Sequence, residues 1–144
     1  MKKLVYNIQI NASPEKVWNA LWDLKNYKKW THVFCPGTYY KTNILVKGSS
    51  VHFLNESGSG MYSEVDEMIP NLLMSFRHIG EIEDFKEKPI KDQPWSNAIE
   101  KYELLSNTEG TLLRVSADTV EEYIDYMNTN FPKALEELKK IAES

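Results

Sequence analysis

The chain has 144 residues, with 17 basic and 21 acidic side chains, a net charge of -4 and an isoelectric point near 5.4. That length fits one domain over residues 1–144, burying roughly 68 to 70% of its unfolded surface, with core enough to spare volume for a pocket. The acidic balance supplies no field for phosphate backbones or anionic lipid, so nucleic acid and membrane surface are excluded as first expectations.

Cys35 is the only cysteine, which rules out an intrachain disulfide and makes a reducing, cytoplasmic setting the expected one. Lys2 and Lys3 stand where a signal peptide carries its charges, but Asn7, Gln9 and Asn11 interrupt any apolar segment behind them. Nothing approaches the length of a membrane span, and membrane insertion is not expected.

In chain order, Leu4, Tyr6, Ile8 and Ile10 alternate with Val5, Asn7, Gln9 and Asn11, which predicts a strand with one buried face. Ser13 then reads as an N-cap and Pro14 as the first helical residue, where a missing N–H costs nothing. Val17, Leu21 and Leu24 recur at helical spacing, and a second short helix is expected over Leu24 to Trp30, with Tyr27 and Trp30 on a shared side. The lysines at 25, 28 and 29 fall on the solvent side of that helix, an ordinary amphipathic surface.

Further strands are predicted over Tyr39 to Leu45, Ser50 to Asn55, Met61 to Ile69, Leu72 to Ile79, Ala98 to Leu105 and Thr111 to Thr119. Short turn-forming separators between most of them demand antiparallel neighbours, and hence a meander. The exception is Gly80 to Asn97, eighteen residues that include Pro89 and Pro94, which read either as a lid or as a solvated insertion. Trp95 near its end favours docking on an apolar surface.

The last element is a long amphipathic helix over Val120 to Ala142, with Thr119 and Glu122 spaced as a capping box. Pro132 inside it predicts a kink or break near Asn128 to Phe131.

These residues carry a family resemblance. Asn11-Ala12-Ser13-Pro14-Glu15-Lys16-Val17-Trp18, Gly48 ahead of Val51-His52-Phe53, and Val65-Asp66-Glu67-Met68-Ile69-Pro70 resemble successive signatures of the START-like, SRPBCC superfamily. Phe131-Pro132-Lys133-Ala134-Leu135-Glu136-Glu137-Leu138-Lys139 is similar to its branch named for the activator of Hsp90 ATPase homologue 1. The resemblance implies an α+β helix-grip fold. About seven antiparallel strands would curve around the long C-terminal helix, two short helices would follow the first strand, and a cavity would lie between sheet and helix. Because the superfamily includes lipid carriers, metabolite binders, cyclases and chaperone activators, the resemblance implies fold more than function. Authentic activators carry an additional N-terminal domain for which this chain is expected to have no room, so a chaperone partner is not implied.

Strand alternation sorts the faces. Leu72, Met74, Phe76 and His78 are expected to point inward, with Val51, Phe53, Tyr102, Leu104, Leu113, Val115 and Ala117. Met61, Ser63 and Val65 are the inward choice on their strand, although Tyr62 could exchange sides with them. The helix adds Tyr123, Met127 and Phe131.

The expected ligand-binding set therefore comprises Phe53, Met61, Met74, Phe76, His78 and Tyr102 from the sheet, with Trp30 and Phe34 before it and Tyr123, Met127 and Phe131 after it. Methionine and aromatic side chains suit an irregular apolar ligand, and they equally suit a filled core.

His78 closes an apolar inward row. A register that sets it opposite residue 100 would place Glu100 beside it, ready to orient a ligand or to transfer a proton. A half-exposed histidine at a sheet edge is the plainer alternative. His32 and Cys35 form an isolated pair without a second one to complete a metal site, and Cys35 has no obvious activating base. No metal, cofactor or catalytic residue is assigned.

The leading expectation is non-catalytic binding of a small, largely apolar or lipid-like molecule. The alternatives are a cyclase- or hydrolase-type enzyme using His78 with Glu100 or Tyr102, and a chaperone-interacting module.

Overall fold

The computed structural model describes residues 1–91 and 93–144. Strand β1 (Lys2–Ile10) leads into α1 (Pro14–Trp22) and α2 (Leu24–Thr31), and β2 (Tyr39–Lys41), β3 (Ser50–Leu54), β4 (Gly60–Ile69) and β5 (Leu73–Glu83) follow. A two-residue β6 (Lys86–Glu87), β7 (Ile99–Asn107) and β8 (Gly110–Thr119) complete the sheet, and α3 (Ile124–Glu143) ends the chain.

Local chemistry sets the first boundaries. Ser13 Oγ accepts from the Lys16 N–H at 3.3 Å, and Pro14 opens α1, as expected from the sequence. Asp23 ends α1 and also caps α2, its Oδ2 accepting from the Asn26 N–H at 3.3 Å. The two helices are locked together by the buried Trp30 Nε1, which donates to the Leu21 carbonyl at 3.1 Å. Tyr40 ties β2 to the end of α1 by donating its hydroxyl to the Trp22 carbonyl.

All strand pairs are antiparallel, in the order β1-β8-β7-β5-β4-β3-β2, with β6 paired to β5. The expected meander therefore holds from β2 to β8, but β1 joins the far side of β8 in a full-length ladder from Lys2↔Thr119 to Ile10↔Thr111. The N-terminal strand thus protects an edge that β8 would otherwise expose.

Three expectations for the sheet need correction. The strand predicted over Tyr39 to Leu45 stops at Lys41, because Thr42 Oγ1 turns back to donate to the Ser50 carbonyl at 2.8 Å. Leu72, predicted to point inward, sits in the Ile69–Leu73 turn at 54% exposure. The segment from Gly80 is not one long loop. β5 continues to Glu83, Asp84 and Phe85 make a tight turn with φ of 52° and 65°, and β6 returns to pair Ile82 with Glu87.

The C-terminal helix departs from expectation at both its start and its middle. Thr119 remains in β8, paired with Lys2, and a 3₁₀ turn over Glu121–Tyr123 intervenes before α3, so no capping box forms. Pro132 does not interrupt α3, which is continuous from Ile124 to Glu143. A helix-interior proline costs about 3 kcal/mol. Buried Leu135 and Leu138, at about 1.5 to 3 kcal/mol each, offset it, with Phe131, Ala134 and Ala142 adding more.

The main core joins the inward faces of the sheet to α1, α2 and the rear of α3, around Trp30, Leu21, Tyr102, Phe76, Leu113 and Leu138. Leu54, Tyr62 and Ile82 form a separate small buried cluster. The register of β4 against β5 shifts between Tyr62 and Ser63, where Tyr62 pairs with Gly80 and Ser63 with His78. That β-bulge lets both residues be buried, and only glycine fits at position 80, since a Cβ there would meet the Tyr62 ring at 2.5 Å.

Candidate functional site

A cavity of about 850 Å³ lies between the sheet, α2 and the first turns of α3. Its walls run from fully buried side chains such as Trp30 and Tyr102 to exposed ones such as Tyr123 and Tyr126, so it reaches from the core to the surface. Pockets of this size accommodate drug-sized molecules.

The structure brings together nine of the eleven residues expected to contact a ligand. Trp30 comes from α2, Phe34 from the loop after it, Phe53 from β3, Met61 from β4, and His78 and Tyr102 from β5 and β7. Tyr123, Met127 and Phe131 descend from the last helix and the turn before it. Met74 and Phe76 are not in the wall. Both are essentially fully buried in the packed core, where Phe76 lies edge to face with Trp22 at 5.5 Å and with Phe53 at 5.0 Å. An inward position on a strand does not distinguish core from cavity, because that depends on what stands opposite.

The aromatic wall is interlocked. Tyr27 meets Trp30 at 5.4 Å and Tyr40 at 4.9 Å, both edge to face, and Phe34 meets Phe131 at 4.9 Å. Such contacts hold rings in fixed orientations beyond what area burial alone does. Trp95, from the segment after β6, also lines the cavity.

The polar floor is a chain of four side chains. Ser63 Oγ lies 2.6 Å from His78 Nδ1, His78 Nε2 lies 3.1 Å from Glu100 Oε1, and the Tyr102 hydroxyl donates to Glu100 Oε2. The expected meeting of His78 and Glu100 occurs, but by a different register. Glu100 stands opposite Phe76, and His78 bonds across to Ala98, so the pair is a diagonal one. Diagonal neighbours on one sheet face lie within reach of long side chains. Ser63 was not anticipated as a partner, because the bulge that aims it at His78 leaves no mark in the alternation.

Burial pushes the Glu100 carboxyl up, but the hydrogen bond and charge of His78, with the Tyr102 hydrogen bond, outweigh it and hold the group below the usual carboxylate range. The Tyr102 and Tyr27 phenols move well upward, first by burial and then by the nearby Glu100 charge. The floor at neutral pH is therefore an ionised carboxylate between neutral phenols. Its imidazole is bonded on both ring nitrogens, an arrangement able to orient a polar group or to relay a proton.

Among the described residues, no group of three or more His, Cys, Asp and Glu side chains could hold a metal ion. No helix among the described residues is long and apolar enough to cross a membrane.

A helix gripped by a curved antiparallel sheet, with an aromatic cavity between them, defines the class of fold. The sequence pattern of the activator of Hsp90 ATPase homolog 1-like proteins matches residues 11–143, and the chain belongs to that family. Among solved structures it is similar to the Aha1 dimer from Colwellia psychrerythraea, at 23% identity and a TM-score of 0.74, covering 99% of this chain and 97% of that one. It is also similar to protein MLL2253 from Mesorhizobium loti, at 18% identity and 0.73, covering 97% and 96%. A third is the AHSA1-like protein from Aeromonas hydrophila, at 16% and 0.69, covering 99% and 92%. No curated protein matches the chain. Family and fold support a ligand-binding module or an Hsp90-activator-like one.

Proposed function

We propose that this protein binds a small, largely apolar molecule without covalent chemistry, in the cavity between the sheet and the start of α3. The observation that carries the reading is that cavity of about 850 Å³, lined by Trp30, Phe34, Phe53, Met127 and Phe131 and floored by His78, Glu100 and Tyr102. An apolar wall with few convergent polar groups is the usual anatomy of a small-molecule site. The free thiol of Cys35 suits a reducing compartment such as the cytoplasm.

The test is titration with Nile red, a neutral apolar reporter, followed by fluorescence and by amide chemical shifts. Saturable emission, with shifts at Trp30, Phe53 and Met127, is expected. No emission change, or shifts confined to the outer sheet face, overturns the reading.

A second reading has a specific observation in its favour. His78, Glu100 and Tyr102 converge within hydrogen-bond reach inside one pocket, the geometry a cyclase or hydrolase would need for proton transfer. Conversion of an apolar ester or polyketide-like compound by the parent protein, lost in His78→Ala, would favour the enzyme. Identical behaviour of the two proteins towards every compound tried ends it.

A further inference from the structure

Apart from His78, the charged side chains of the cavity wall are of one sign. Glu81, Glu83, Glu100 and Asp118 are among its lining residues, and no lysine or arginine is among the described ones. All four carboxylates have protein partners, those of Glu100 being His78 and Tyr102. Lys88 Nζ lies 3.5 Å from Glu81 and 3.2 Å from Glu83, and Asp118 Oδ2 accepts from the Ile99 N–H at 3.0 Å. Glu100 is the one at the floor, with its side chain 27% exposed and the rings of Tyr27, Trp30, Phe53 and Tyr102 in the same wall.

The hydrogen-bond inventory of that floor decides what it can receive. Against the carboxylate of Glu100, His78 presents its Nε2–H, its Nδ1 is paired with the Ser63 hydroxyl, and Tyr102 gives its only proton to Glu100. The donors are thus spent internally. Each Glu100 oxygen has one protein partner and retains accepting capacity, as does the Tyr102 oxygen. A group entering the floor must bring donors, and a positive charge matches both the carboxylate and the faces of the surrounding rings. A carboxylate or phosphate would meet like charge in a poorly solvated place.

We propose that the cavity selects apolar molecules bearing a protonated amine, the ammonium held by Glu100 among the rings of Tyr27, Trp30, Phe53 and Tyr102. This rests on the cavity-binding reading above and narrows it to a ligand class.

The experiment uses three naphthalenes of one size that differ in head group: 2-(1-naphthyl)ethylamine, 2-(1-naphthyl)ethanol and 1-naphthylacetate, titrated calorimetrically at neutral pH alongside Nile red. The amine should bind at least about tenfold tighter than the acid, with the alcohol between them. In Glu100→Gln the three should converge to within about threefold, chiefly by weakening of the amine. If that variant fails to fold, the His78 ring resonances of the parent decide, because the amine must shift them and the alcohol must shift them less. Nile red binding with no preference for the amine, or with no amine binding, overturns the ammonium proposal and leaves the cavity reading standing. Failure of Nile red and all three naphthalenes overturns both.

Discussion

The two halves of α3 put one amphipathic stripe to opposite uses. From Phe131 onward the stripe is buried, with Ala134, Leu135, Leu138 and Ala142 packed against α1, α2 and β1. Ahead of it no residue of the helix is buried, Tyr126 is exposed, and Met127 borders open space. The same periodicity therefore yields a clamp at one end and a roof at the other. Pro132 marks the junction, one residue past the last side chain that belongs to both. The difference teaches that a helix-grip domain can be packed tightly at the C-terminal end of its long helix while the front of that helix borders open space.

The most damaging change should be at the clamp. Leu138→Ala is expected to cost about 2 to 5 kcal/mol in urea unfolding, since the side chain is fully buried in the main core and its truncation leaves a cavity there. Next comes His78→Ala at the cavity floor, which removes a hydrogen bond to the Glu100 carboxylate and another to Ser63. It should cost about 1.5 to 3 kcal/mol. A loss at position 78 as large as that at 138 would break the distinction between a packed rear and an open front.

Acid sharpens the same contrast. The Glu100 carboxyl titrates below its ordinary range in the folded state, so its contribution to stability is present above that range. The contribution is lost as pH falls through the folded-state value. The advantage of the parent over Glu100→Gln should accordingly shrink as pH falls below the usual carboxylate range, while the deficit of Leu138→Ala should stay nearly constant. Denaturant midpoints measured from pH 7 to pH 3 check the two trends. A gap between parent and Glu100→Gln that widens with acid would refute the assignment of Glu100 as a charged, hydrogen-bonded floor.

How much of this was legible in the chain depends on whether a feature is local. Ser13 with Pro14, the Tyr27 and Trp30 side of α2, and the buried face of β8 all follow from spacing over a few residues, and all are found. The family resemblance supplied what periodicity could not, that α3 is gripped by the sheet. The polar floor was only half legible. His78 and Glu100 share a face by alternation, but their diagonal pairing depends on where β7 begins, and Ser63 reaches His78 only through the bulge at Tyr62. Emptiness was not legible at all. Met61 and Met74 carry the same alternation signal, yet one faces space and the other is packed, because the helix covers the sheet unevenly.

The smallest effects belong to the roof, where they are the most diagnostic. Met127 is partly buried against the core yet borders the cavity, so Met127→Ala should cost less than about 1 kcal/mol, well under the usual penalty for deleting a buried methionine. Met127→Trp introduces an indole at the same point. In a close-packed interior such overfilling costs about 1 to 3 kcal/mol, but beside existing space it should be nearly neutral. The indole would then occupy volume that a ligand needs, and Nile red affinity should fall by about tenfold or more while the unfolding midpoint holds. The two readouts separate because stability is invested behind Phe131 and space in front of it. A Met127→Trp protein that is strongly destabilised, or that binds Nile red as the parent does, would mean that the front of α3 is packed like the rear.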